Sequence, residues 1–143
     1  MRYLLAIIGF VLITTSCVPG FLRDRPGTTA ATEATSQTII YQGSAEAAHA
    51  VVIRTISTAS PLASSSGWSI TQNDLAAGFV RAETHVTPTI FGVAGISYPH
   101  SVAVLISEPG DDRVEIIVQS TSDAAPLAQE IIATLDEQLG RAE

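Results

Sequence analysis

The sequence predicts an α+β domain: a four- or five-stranded antiparallel sheet with two helices packed on one face, in the order β-α-β-β-β-β-α. Three observations lead to it. Apolar and polar residues alternate in several runs, as in Val80, Ala82, Thr84 and Val86 against Arg81, Glu83 and His85. That is the period of a strand with one face in water, and such half-solvated strands pair antiparallel. Two other stretches carry apolar residues at helical spacing, and Gly, Pro and Asp fall between the runs, where the chain must turn.

In chain order, Thr38-Ile39-Ile40-Tyr41-Gln42 is a short β-rich run closed by Gly43. Ser44 offers an N-cap and Glu46 a negative charge in the first turn of a helix expected from about Ala45 to Ser57, with Ala45, Ala48, Val52 and Ile56 on one face. It stops before Pro61 and the Ser64-Ser65-Ser66-Gly67 loop. Trp68 to Gln72 alternates, Asn73-Asp74 begins a turn towards Gly78, and Phe79 to Val86 is the next strand. Val102, Val104 and Ile106 repeat the alternation, Pro109-Gly110-Asp111-Asp112 supplies a turn, and Val114, Ile116 and Val118 return as the second arm of a hairpin. Asp123 is placed to cap a last helix, in which Pro126 is tolerated in the first turn, Leu127, Ile131, Leu135 and Leu139 form a stripe, and Gly140 lies past the end.

Composition limits the function classes. The 143 residues leave room for one modest core, and 46% hydrophobic against 15% charged residues describes a globular chain, not a disordered one. The net charge is −7 and there is no lysine, which argues against nucleic acid as a partner. A single cysteine makes no intramolecular disulfide and no cysteine-rich metal site.

Residues 1–16 have the layout of an export signal: Arg2, an apolar run from Leu4 to Ile13 broken only by Gly9, then Thr14-Thr15-Ser16 before Cys17. The run is about ten residues, against roughly 20 for a helix that crosses a bilayer. Ile13-Thr14-Thr15-Ser16-Cys17 resembles the lipobox of bacterial lipoproteins, with Thr14 standing where leucine is usual. The resemblance implies lipid on Cys17, which becomes the N-terminus and anchors the chain to a membrane. Val18, in place of the Asp that marks inner-membrane retention, implies the outer membrane, facing the periplasm. From Cys17 to about Ser36 the chain is small, polar and without period, and reads as a flexible tether. Phe21 and Leu22, followed by Arg23 and Arg25, read either as part of that solvated linker, the preferred reading, or as a short patch for the membrane interface. The folded domain is expected over residues 37–143.

The helix followed by Gly67-Trp68-Ser69-Ile70 and then Gly78-Phe79-Val80-Arg81-Ala82, where a turn glycine opens a strand, resembles the helix-grip-like domains of small envelope lipoproteins of the barrel-assembly (BamC) type. The likeness covers about half the domain and carries no functional residue across.

No familiar catalytic arrangement is present. His49 falls on the first helix, His85 on a polar strand face and His100 at a strand start. Glu83 and His85, two apart on a strand, share a face and read either as a charge pair or two ligands, or as a solvated strand surface. There is no Gly-x-Ser-x-Gly element and no phosphate-binding glycine loop, and Asp111-Asp112 lacks the further oxygen ligands of a calcium loop. The domain is therefore expected to be non-enzymatic, with no metal and no cofactor.

The most unusual segment is Thr87 to Tyr98, an apolar connection without a charged residue. It reads in two ways. Ile90, Phe91, Val93, Ile96 and Tyr98 form a docking loop for a protein partner, a lipid surface or an apolar ligand, or they extend the hairpin and bury themselves under a helix. The functional expectation is a membrane-anchored envelope lipoprotein whose domain binds a protein partner. The alternative is a carrier or sensor of a small apolar or lipidic ligand held between helix and sheet.

Overall fold

Side-chain alternation decides which face of each strand is covered: the even-numbered Val80, Ala82, Val102, Val104, Ile106, Val114, Ile116 and Val118 share the inner face with the odd-numbered Ile39 and Tyr41, which pair with Ile116 and Val114. The computed structural model describes residues 34–110 and 112–142. The expected signal peptide, Cys17 and the tether as far as residue 33 lie outside the described residues. The elements are β1 (Ala34–Gln42), α1 (Ala45–Thr58), β2 (Ser69–Asp74), β3 (Phe79–Val86), β4 (Thr89–Ile90), β5 (Val93–Ala94), β6 (Tyr98–Gly110), β7 (Arg113–Thr121) and α2 (Ala125–Gln138), with a 3-10 turn at Ser122–Ala124. Five strands form one antiparallel sheet in the order β1-β7-β6-β3-β2, and β4 and β5 form a separate two-stranded ribbon. This is the α+β architecture read from the sequence.

The inner face of the sheet is laid down by register. Val80 pairs with Val104 and Ala82 with Val102, while Val104 pairs with Val118 and Ile106 with Ile116. All are buried, together with Val52 and Ile56 of α1 and Leu127, Ile131 and Leu135 of α2, in one apolar cluster. Burying each such side chain contributes about 1.5–3 kcal/mol, so this shared face holds the two helices on the sheet. Ser44 caps α1 by accepting from the Ala47 amide at 3.2 Å, and Glu108 Oε1 accepts from the Ala45 amide at 2.6 Å. The C-terminal segment closes against the edge strand, with Gln42 N donating to Gly140 O and Ala142 N to Ile40 O.

Three details differ from the sequence reading. First, β1 begins at Ala34, ahead of Thr38. Its first residues are exposed and are held by backbone pairing with β7 and by Thr35 Oγ1 at 3.0 Å from Ser120 Oγ, so no apolar alternation marks them. Second, β6 and β7 run longer than their valine-isoleucine cores, because buried Ser101, Gln119 and Ser120 continue the ladder without an apolar signal. Third, Asp123 does not cap α2. It sits in the 3-10 turn, Ala124 takes the N-cap position without a side-chain bond, and the carboxylate lies instead near His100.

The connections give the domain two distinct ends. At one, which we call the entry end, Ala34 pairs with Thr121, Val86 with Tyr98, and α2 begins. At the other lie the β6–β7 turn, the 75–78 turn, the start of α1 and the end of α2.

Candidate functional site

At the entry end β3 and β6 are joined through residues 87–97. The segment does extend the hairpin, as one of the two sequence readings has it, but it does not bury itself. Thr89 pairs with Ala94 and Ile90 with Val93 around a two-residue turn, Phe91 and Gly92, with φ of 52° and 78°. Gly95 N donates to Pro88 O at 2.7 Å and ties the base of the ribbon. The side chain of Phe91 is wholly in solvent (101%), with Ile96 (73%), Val93 (70%) and Tyr98 (47%). The ribbon thus brings Phe91, Val93, Ile96 and Tyr98 together as an exposed apolar projection.

A cleft of about 380 Å³ lies at the same end, lined by Leu62, Ala63, Val86, His100, Ser122, Asp123 and Pro126. Three pieces of chain make it. The connection after α1 crosses the end of β3, with a bridge from Ser65 to Val86 and Thr87 N donating to Ser64 O. The inner faces of β3 and β6 supply Val86 and His100, and the 3-10 turn with the start of α2 supplies the third wall. Its lining is apolar through Leu62, Val86 and Pro126 and polar at the His100 side. The His100 side chain is 10% exposed; Nδ1 makes no hydrogen bond and lies 3.5 Å from Asp123 Oδ2. Thr84, the register partner of His100, is buried on the same inner face, and its Oγ1 also makes no hydrogen bond. Buried polar atoms without protein partners are few in folded proteins, and these two call for an ordered water or, at His100, which lines the cleft, a polar group of a ligand.

The other residues singled out in the sequence are not assembled with this cleft. His49 is buried on α1 and His85 is exposed on the open face of the sheet. Glu83 pairs with Arg81 at 2.9 Å across that face, so its carboxylate is engaged by a cation on its own strand. Among the described residues there is no group of three or more His, Cys, Asp or Glu placed to hold a metal ion. A second, smaller hollow of about 270 Å³ lies at the far end beside Ser44, Glu108 and Arg113, where Glu108 already takes the first amide of α1.

Sequence reasoning missed the cleft because its walls are drawn from positions as distant as Leu62 and Pro126. One signal was available. His100 has the same parity as Val102, Val104 and Ile106, which places it on the covered face and not in solvent.

No protein-family model matches the sequence, and no curated protein matches it. Solved structures with a similar arrangement include a START superfamily protein from Mycobacterium smegmatis, at 12% identity and a TM-score of 0.41, covering 74% of this chain and 96% of that one. Two others are the di-domain ARO/CYC BexL from the BE-7585A biosynthetic pathway (10%, 0.38, 73% of this chain and 41% of that one) and the Zhui aromatase/cyclase from Streptomyces sp. R1128 (9%, 0.32, 73% and 84%). These similarities concern architecture and lend no residue, ligand or reaction to this chain. They do correct the expectation of a non-enzymatic domain. Enzymes stand among the chains this one is similar to, so the lack of a familiar catalytic motif is no ground for setting catalysis aside.

Proposed function

We propose that this chain is held at a membrane by lipid on Cys17 and that its domain takes a small, uncharged, mainly apolar ligand with an oxygen-bearing end into the cleft at the entry end. The observation that carries the reading is the cleft itself: about 380 Å³, apolar through Leu62, Val86 and Pro126, with the unbonded Nδ1 of His100 at one side. That volume falls at the lower end of the range of small-molecule sites, and the lining sets Leu62, Ala63, Val86 and Pro126 against the polar His100, Ser122 and Asp123. An uncharged ligand fits better than an anion because the Asp123 carboxylate lines the same wall. The anchor rests on the export-signal layout and on the lone cysteine at its end.

Competition binding tests it, with N-phenyl-1-naphthylamine as an uncharged fluorescent reporter and 1-decanol and decane as competitors. The expected result is displacement by decanol ahead of decane, and a roughly three- to tenfold loss of decanol affinity in His100→Leu, the range of one neutral hydrogen bond. Equal displacement by the two competitors, or a His100→Leu chain that binds decanol like the parent, overturns it. Mass spectrometry of the mature N-terminus tests the anchor separately, and an unacylated Cys17 removes that half.

A further inference from the structure

We propose that the β4–β5 ribbon enters the interfacial layer of a lipid bilayer, Phe91 leading, so that the entry end of the domain faces the membrane. The starting point is the turn. In a two-residue hairpin turn with positive φ at both positions, the left-handed sites ordinarily hold Gly, Asn or Asp. Here Gly92 takes one of them and Phe91 the other, at φ 52°. A bulky aromatic residue in that conformation is under backbone strain, and its full exposure means that the domain gains no packing from it. A polar residue would turn the chain more comfortably and keep it more soluble. Phe91 is explained by something outside the domain that accepts its ring.

The surroundings identify a bilayer as that acceptor. Thr87 to Tyr98 contains no charged residue, and Val93 and Ile96 stand out of the ribbon beside Phe91. An aromatic tip with aliphatic flanks and no charge matches the acyl-headgroup boundary, where apolar side chains are buried a few ångströms deep. Chain connectivity points the same way. The polypeptide enters the domain at Ala34, paired with Thr121, at the end from which the ribbon projects. Only sixteen residues, 18–33, separate Ala34 from Cys17, and no backbone stretches that many beyond roughly 55–60 Å. In this part the inference rests on the lipid anchor proposed above. With the anchor in the bilayer, the ribbon is an exposed apolar group at the end of the domain where the tether joins it. The chain has no lysine and a net charge of −7, so attraction to anionic headgroups does not hold this face down. The contact has to come from apolar insertion, which salt does not weaken. The cleft lies at the same end, which puts the proposed ligand site on the membrane side of the domain.

The full-length, membrane-processed chain carrying Trp68→Phe and Phe91→Trp, reconstituted into vesicles of phosphatidylethanolamine and phosphatidylglycerol, places the sole tryptophan at the ribbon tip. The expected result is blue-shifted emission, quenched most by lipids brominated near the headgroup end of the acyl chain and unaffected by 0.5 M salt. Adding Val93→Asp and Ile96→Asp returns the emission to that of tryptophan in water. In the parental background, Phe91→Asp loosens the chain from the vesicles about tenfold, the equivalent of partly withdrawing one large apolar side chain. Unshifted, unquenched emission at the tip overturns the proposal, even where Cys17 is acylated. So does a blue shift that persists without lipid, which assigns the ribbon to a second copy or another protein. Loss of acylation with a still-quenched tip overturns the anchor and leaves the ribbon's insertion standing. Decanol competition is a separate readout and reports on the cleft alone.

Discussion

The Tyr41 hydroxyl donates to Asp136 Oδ1 at 2.8 Å, joining the edge strand β1 to α2, and Arg141 grips the same carboxylate with Nε at 2.7 Å from Oδ1 and Nη2 at 2.8 Å from Oδ2. Burial, reinforced by the adjacent carboxylate, pushes the Tyr41 phenol well above its ordinary value of 10. A group whose value is raised by folding stabilises fully below its unfolded value and loses that contribution as pH rises. Stability is therefore expected to fall above pH 10 by about 1.4 kcal/mol per pH unit, until the folded phenol itself ionises. Urea unfolding at pH 9, 10 and 11 measures this. Tyr41→Phe should remove the Tyr41 share of the slope; an unchanged slope means that the phenol already ionises normally in the folded chain.

The same cluster has an acid limb of opposite sign. The Arg141 fork, helped by the Tyr41 hydroxyl, holds the Asp136 carboxyl below its ordinary 3.8. Its stabilisation is present above that value and is lost as pH falls through the lower, folded one. Asp136→Asn is expected to lower the Tm at pH 7 and to flatten the decline of Tm between pH 4 and pH 2. A parallel decline in the two chains contradicts the assignment.

Gly78 is required by contact as well as by conformation. Its φ is +62°, it accepts from Ile106 N at 2.7 Å, and a Cβ built on it would fall 1.9 Å from Ile106 O. The clash is with backbone of the central strand β6 and cannot be relieved by a rotamer change. Gly78→Ala is expected to destabilise by about 3 kcal/mol or more, the range of a forced backbone shift plus strain. Gly140, at φ +70° after α2, has open space where its Cβ would lie, and Gly140→Ala should cost only about 1–2 kcal/mol. Denaturant midpoints of the two variants compare them directly.

These positions mark how far the sequence was legible. Elements with a pattern were readable: β3 was bounded at Phe79 and Val86 because every second residue changes character, and α1 was framed by Ser44 and the break before Pro61. The start of β1 was not, since Ala34 to Ser36 are exposed and held by backbone pairing and the Thr35–Ser120 hydroxyl contact, with no apolar side chain to mark them. The 87–98 segment illustrates a different limit. Its lack of charge is plain in the sequence, but apolar residues look the same whether a helix covers them or water does. Only the backbone, through the positive φ of Phe91 and the pairing of Ile90 with Val93, carries them away from the core. Asp123 shows the third kind: a residue type favoured as a helix cap was drawn beside His100 by a 3-10 turn that local propensity does not announce.

Thr84 separates stability from ligand recognition. Its hydroxyl is buried and unbonded on the inner face, opposite His100 in the ladder. Valine has nearly the same shape, and removing an unsatisfied hydroxyl without changing volume spares its desolvation penalty. Thr84→Val is expected to stabilise the ligand-free chain by about 1 kcal/mol, a rise in Tm of roughly 4–8 °C for a domain of this size. Thr84 does not itself line the cleft but pairs with His100, which does, so the same change takes an unbonded hydroxyl from behind the cleft wall, and decanol should displace the reporter less well even as the fold becomes firmer. A fall in Tm shows that Thr84 has a hydrogen-bond partner in solution. A rise in Tm with decanol affinity untouched places ligand recognition on His100 alone. Only a rise in Tm together with weaker decanol binding makes Thr84 a second polar contact.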